Sequence, residues 1–173
     1  MHKMRNLITI ILILLSTISI AQNNYDFRNK SLICKQIKSA TNYLRKDKDL
    51  KLRRIKYDSL IRDGWNYDIF AFDYVSYKLN ITKEKVYEND SNETIKIYKK
   101  IENKNFNSGE ILELKCLKKR RKPNAIISKL DEESLVIQVT EKRLGKEGSS
   151  GRSYLFLFEN DKIKKVVEKG WIE

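Results

Sequence analysis

The densest apolar stretch in the chain is Ser153-Tyr154-Leu155-Phe156-Leu157-Phe158. A run this apolar between polar boundaries predicts a strand buried on both faces, since a half-exposed strand would alternate. Glu159-Asn160-Asp161-Lys162 then predicts a tight turn into Ile163-Lys164-Lys165-Val166-Val167, which completes a hairpin. Near the start, Ile33, Ile37, Ala40 and Leu44 fall at i, i+4, i+7 and i+11 and predict one buried helical face. Lys46-Asp47-Lys48-Asp49 ends that helix. Leu52, Ile55, Ser59 and Leu60 give a weaker stripe, read as a second helix with Gly64 as its C-terminal cap.

The aromatic block from Trp65 to Leu79 fits both periods: Phe70, Phe72 and Tyr74 alternate, while Phe70, Tyr74 and Tyr77 share a helical face. It is read here as helix. Thr82 is placed to cap a short turn through Val86. Ile95, Ile97 and Lys99 alternate with Lys96, Tyr98 and Lys100, which predicts a half-buried strand. Glu110 to Leu117, Asn124 to Ile127 and Leu135 to Thr140 complete the strand set, with a hinge at Leu130-Asp131-Glu132-Glu133 and a glycine-rich connection from Gly145 to Gly151. Helices followed by consecutive strands predict one α+β domain over residues 22–173. Its N-terminal helices would pack on one face of a C-terminal antiparallel β-meander.

The first residues change the picture of where this domain resides. Met1-His2-Lys3-Met4-Arg5 is cationic, Leu7 to Leu15 is nearly all Leu and Ile, and Ser19-Ile20-Ala21 is a small-x-small site. Residues 1–21 therefore read as a signal peptide cleaved before Gln22, because the apolar core is shorter than the ~20 residues that span a bilayer. The Ala-Gln junction in a chain rich in Ile, Lys and Asn is similar to exported proteins of AT-rich bacteria. Export to the periplasm or beyond is the expectation, with no transmembrane segment left after cleavage.

The 173-residue chain carries a formal net charge of +13, or about +11 once Lys3 and Arg5 leave with the signal. Such a surface favours acidic proteins or an anionic envelope surface as partner, and export disfavours nucleic acid. The densest charge run is Lys118-Lys119-Arg120-Arg121-Lys122, in a solvated turn between two strands. An oxidising compartment permits a bridge between the two cysteines, Cys34 and Cys116; two buried thiols are the other reading. Leu112, Leu114 and Cys116 alternate onto one strand face, which turns Cys116 towards the core.

Histidine supplies the sharpest exclusion. His2 is the sole histidine and departs with the signal, so no His-based triad and no His-ligated metal site remains, and two thiols are too few for an all-cysteine site. No Ser-x-x-Lys nucleophile occurs. Carboxylate chemistry is what is left to an enzyme, and Asp131-Glu132-Glu133 reads as a solvated acidic turn. No cofactor or metal is expected, and the domain is read as non-enzymatic. Gly145 to Ser153 is glycine-rich, yet a strand follows where a phosphate loop requires a helix.

Two resemblances complete the reading. Ser150-Gly151-Arg152-Ser153-Tyr154 resembles the Ser-Gly-x-x-Tyr element of exported bacterial lysozyme inhibitors, which implies a loop that enters a lysozyme cleft. The helices-then-meander order is similar to NTF2-like and cystatin-like domains. That similarity implies a pocket for a small apolar ligand, lined by Trp65, Phe70, Phe72 and Tyr74. The preferred expectation remains an exported binding domain that turns its basic face, with Lys118 to Lys122, to an acidic partner.

Overall fold

The computed structural model describes residues 29–48, 50, 54–64, 66–106, 111–118, 120–143, 148–159 and 161–172. The signal-peptide assignment at residues 1–21 lies outside them, as do Trp65 and Lys119. The chain forms α1 (Lys30–Leu44), β1 (Tyr57–Asp63), a 3-10 turn (Asp68–Phe70), α2 (Ala71–Leu79), α3 (Lys83–Tyr87) and α4 (Asn92–Phe106). Five strands follow: β2 (Ile111–Glu113), β3 (Ala125–Lys129), β4 (Ser134–Arg143), β5 (Ser149–Glu159) and β6 (Lys162–Ile172). They build a six-stranded sheet in the order β2-β1-β3-β4-β5-β6. The fold is α+β, and β3 to β6 form the antiparallel C-terminal meander.

The double burial expected of β5 decides the layering. Tyr154, Phe156 and Phe158 pack with Leu135, Ile137 and Val139 of β4 against Ile33, Ile37, Ala40 and Leu44 of α1. The intervening Leu155 and Leu157 join Val136 in a second core under Tyr67, Phe70 and Tyr74, with Ile101 of α4. Helices therefore cover both faces of the sheet, not the single face expected. A strand that is apolar on both sides has no solvated face to spare.

Two elements differ in type from the sequence reading. The expected second helix is β1, whose inward positions are Ser59, Ile61 and Asp63. Two of these three are polar, so the apolar alternation that marks a strand is absent. Strand β1 pairs parallel to β3 and antiparallel to β2, and so inserts into the sheet ahead of the meander. Gly64, at φ +66°, closes this strand rather than a helix, and its N–H donates to the Lys129 carbonyl at 2.8 Å. A Cβ at Gly64 would overlap Lys104 of α4, so glycine is what lets α4 approach.

The expected strand at Ile95 to Lys100 is the middle of α4. The Ser91 Oγ accepts from the Thr94 N–H at 3.2 Å, an N-terminal cap, and Thr94 and Ile101 are buried at helical spacing with Ile97 half-buried between them. Ile95, which suggested the alternation, is exposed. Helix α1 starts on Asn29, whose side chain accepts from the Leu32 N–H at 3.0 Å. Of the aromatic block read as helix, Asp68–Phe70 forms the 3-10 turn and Ala71–Leu79 the α-helix, which ends at Asn80 in the left-handed region, whereas Asn66, at φ +61°, stands outside any helix.

Candidate functional site

Cys34 of α1 and Cys116, just beyond β2, form a disulfide with Cα atoms 6.0 Å apart. Cys116 does not face the core as its alternation suggested. Strand β2 ends at Glu113, and Cys116 sits in the exposed turn that follows, while Leu114 and Leu117 fill the interior. The bridge ties that turn across the outer flank of α1 and leaves an open groove of about 520 Å³ between them.

The floor of the groove is apolar: Ile37 and Leu117 are buried, and the disulfide and the Tyr57 ring lie beside them. The Tyr57 hydroxyl shares a 2.8 Å hydrogen bond with Thr41 Oγ1. Burial raises the Tyr57 pKa to about 12, against the smaller opposing pull of Thr41 and Arg45, so the phenol stays neutral at any ordinary pH. The rim is cationic. Lys35, Lys38 and Arg45 fall at i, i+3 and i+10 along one exposed flank of α1.

The basic run leaves this groove directly from Leu117. Lys118, Arg120, Arg121 and Lys122 are all exposed, with Lys122 in the left-handed region at φ +55°. Asn124 pins the far end of the loop: its side chain accepts from the Lys56 N–H at 2.6 Å and donates to the Arg54 carbonyl at 3.1 Å. Among the described residues none of Lys35, Lys38, Arg45, Lys118, Arg120, Arg121 or Lys122 has a carboxylate within salt-bridge distance. Other cations are paired with acids: Lys78 with Asp131 and Glu133, Lys83 and Lys169 with Asp73, Lys104 with Asp63, Arg152 with Glu141 and Glu168. The groove side thus carries a run of exposed cations without a carboxylate partner among the described residues. Exposed Lys85, Lys96, Lys99 and Lys165 elsewhere have none among those residues either, so what sets the groove apart is the local density of cations.

A second constellation was invisible in the sequence. Asp131 in the β3–β4 turn is buried, whereas Glu132 and Glu133 are exposed, so the three do not act as one solvated acidic cluster. The Leu130 N–H donates to the Tyr67 hydroxyl at 3.1 Å, Tyr67 bonds Ser134 Oγ at 2.9 Å, and Ser134 donates to Asp131 at 2.6 Å. Tyr74 also donates to Asp131, and Lys78 approaches its carboxylate at 2.8 Å. Burial dominates and raises the Asp131 pKa to about 6, despite the bonds from Ser134 that act the other way.

Lys129, only 2 % exposed, donates to Gln36 Oε1 at 2.6 Å and to the Glu132 and Ser134 carbonyls at 3.3 Å. Burial lowers its pKa to about 8. Its three ammonium protons are all used, so the side chain acts as a tether from the turn to α1. The neighbouring cleft of about 510 Å³ holds Lys78, Glu133 and Lys164, whose charges are paired with one another or with Glu159.

Among the described residues, Phe70, Phe72 and Tyr74 do not assemble the expected aromatic pocket. Phe70 and Tyr74 are closed inside the core, whereas Phe72 is 37 % exposed on the outer side of α2, where it stacks on Tyr87 at 4.3 Å. The helical period that places Phe70 and Tyr74 inward necessarily turns Phe72 out. The Ser-Gly-x-x-Tyr positions also form no projecting loop. Ser150 to Tyr154 lie within β5 between β4 and β6, and the buried Tyr154 donates to Asp47 at 2.9 Å. Among the described residues no three His, Cys, Asp or Glu side chains gather as metal ligands, and no helix is long and apolar enough to cross a membrane. Compared with known proteins, the chain matches no family model, no curated protein and no solved structure.

Proposed function

We propose that this protein is an exported, non-enzymatic interaction domain that turns its basic α1 and β2–β3 face to an acidic protein or an anionic envelope surface. The observation that carries the reading is the local excess of exposed cations over acids along α1 and the β2–β3 connection. Between Lys30 and Lys48 the chain carries Lys30, Lys35, Lys38, Arg45, Lys46 and Lys48 against Asp47 alone, and Asp47 is engaged by Tyr154. The loop from Lys118 to Lys122 adds five more cations and no acid. Like charges held this close repel one another at modest cost in water, and that cost turns into attraction when an anion arrives. The leader-like residues 1–21 are the support for export.

The test is a pull-down from native envelope extract, washed at low salt and again at about 0.5 M, where exposed charge pairs are largely screened. The expected result is one acidic partner that survives the high-salt wash with wild-type bait and is lost with Lys118→Glu/Arg120→Glu/Arg121→Glu/Lys122→Glu bait. Equal capture by wild-type and charge-reversed protein sinks the reading.

A further inference from the structure

The groove between α1 and the disulfide turn has features that the basic loop alone lacks. It combines an apolar floor with a cationic rim in a fixed relation. Lys35, Lys38 and Arg45 line one flank of α1 over about 15 Å, at 1.5 Å of rise per residue. Below them lie Ile37, Leu117 and the Cys34–Cys116 bridge. At about 520 Å³ the space falls within the usual range of ligand pockets. It is open along its length rather than closed into a tunnel. Ser31 and Asn42 place exposed polar side chains along the same line.

From this we infer that the groove is the docking site for an acidic peptide segment of a partner protein, which seats one or two apolar side chains against the disulfide and aligns its carboxylates with Lys35, Lys38 and Arg45. The inference rests on the proposed function and adds to it a site, a geometry and a class of occupant. Charge complementarity selects the acid. The apolar floor selects an anchor residue that a purely electrostatic contact would not require. An extended segment at about 3.3 Å per residue covers the three cations with roughly five residues, and Ser31 and Asn42 offer hydrogen bonds to its backbone. An acyl chain makes no such bonds and would leave half its surface in water. Rim charges set the encounter rate, and the buried anchor sets the residence time.

The experiment uses the disulfide-intact protein and a fluorescein-labelled dodecapeptide of Glu and Asp with two central Leu residues, read by anisotropy. Two further probes are the same peptide with Ser for both Leu, and vesicles of phosphatidylglycerol. The expected result is binding of the Leu peptide at least tenfold tighter than the Ser peptide. Lys35→Glu/Lys38→Glu/Arg45→Glu weakens it by tenfold or more, as does Asn42→Trp, which keeps every cation and fills the groove. Both variants change exposed positions, and circular dichroism checks their fold. If Leu and Ser peptides bind alike, or the α1 variants stay within twofold of wild type while reversal of Lys118 to Lys122 abolishes binding, the groove is not the site although the basic-face reading stands. Binding to vesicles without binding to either peptide makes the occupant a lipid surface and overturns the peptide. If no anionic probe binds, both readings fall together.

Discussion

Removal of the Cys34–Cys116 bridge is the perturbation whose size follows most directly from the chain. The two residues are 82 positions apart, and they close a loop that contains α1 through β2. In the chain-entropy account, opening a loop of that length restores about 4.5 kcal/mol of freedom to the unfolded state. For a domain whose total stability is of order 5–15 kcal/mol, that is a large share. The assay is urea unfolding of the oxidised protein and of Cys34→Ser/Cys116→Ser, followed by tryptophan fluorescence. With a urea slope of about 2 kcal/mol per molar, the midpoint should fall by about 2 M. Kinetics add a sharper readout. If the bridge acts on the unfolded chain and α1 docks before the barrier, its loss slows folding by about three orders of magnitude and leaves unfolding nearly unchanged. A midpoint shift under 0.5 M, or a loss carried wholly by faster unfolding, would refute the entropic reasoning and point to native contacts at the turn instead.

Two further outcomes follow from the buried polar groups and from Gly64. Burial raises the pKa of Asp131 in the folded protein to about 6, from an ordinary value of 3.8. Between these values the folded protein holds this proton more tightly than the unfolded chain, so the contribution of Asp131 to stability is complete below about pH 4 and is lost, by up to about 3 kcal/mol, as pH rises through 6. Asp131→Asn should flatten this part of a stability-against-pH curve, and an unchanged slope in the variant contradicts the assignment. Gly64→Ala meets both the left-handed backbone at φ +66° and the Lys104 side chain. It should cost about 2–4 kcal/mol in denaturant unfolding, and a loss under 1 kcal/mol would mean that α4 can move aside.

The sequence by itself determined the elements whose apolar residues are nearly the whole pattern. Strand β5 and its hairpin with β6 were legible because six successive residues are apolar or aromatic apart from Ser153, and α1 because its four buried positions keep one helical phase. The α+β class followed from the order of these elements. Strand β1 was not legible, since polar Ser59 and Asp63 occupy its inward positions, and the partner of Asp63, Lys104, lies on a helix further along the chain. Helix α4 was misread because the alternation of Ile95 and Ile97 imitates a strand, while the Ser91 cap that decides the matter is a weak local signal.

The groove illustrates the same division. Sequence alone displayed the run Lys118 to Lys122 and left the pairing of Cys34 and Cys116 open. Only the tertiary structure brought Lys35, Lys38 and Arg45 beside the Cys116–Leu117 turn that leads into that loop, and buried Asp131 within an apparently solvated turn. Local periodicity records which side of an element meets the core. What meets it there, and which charges remain without a partner, depends on contacts between segments some 80 to 100 residues apart.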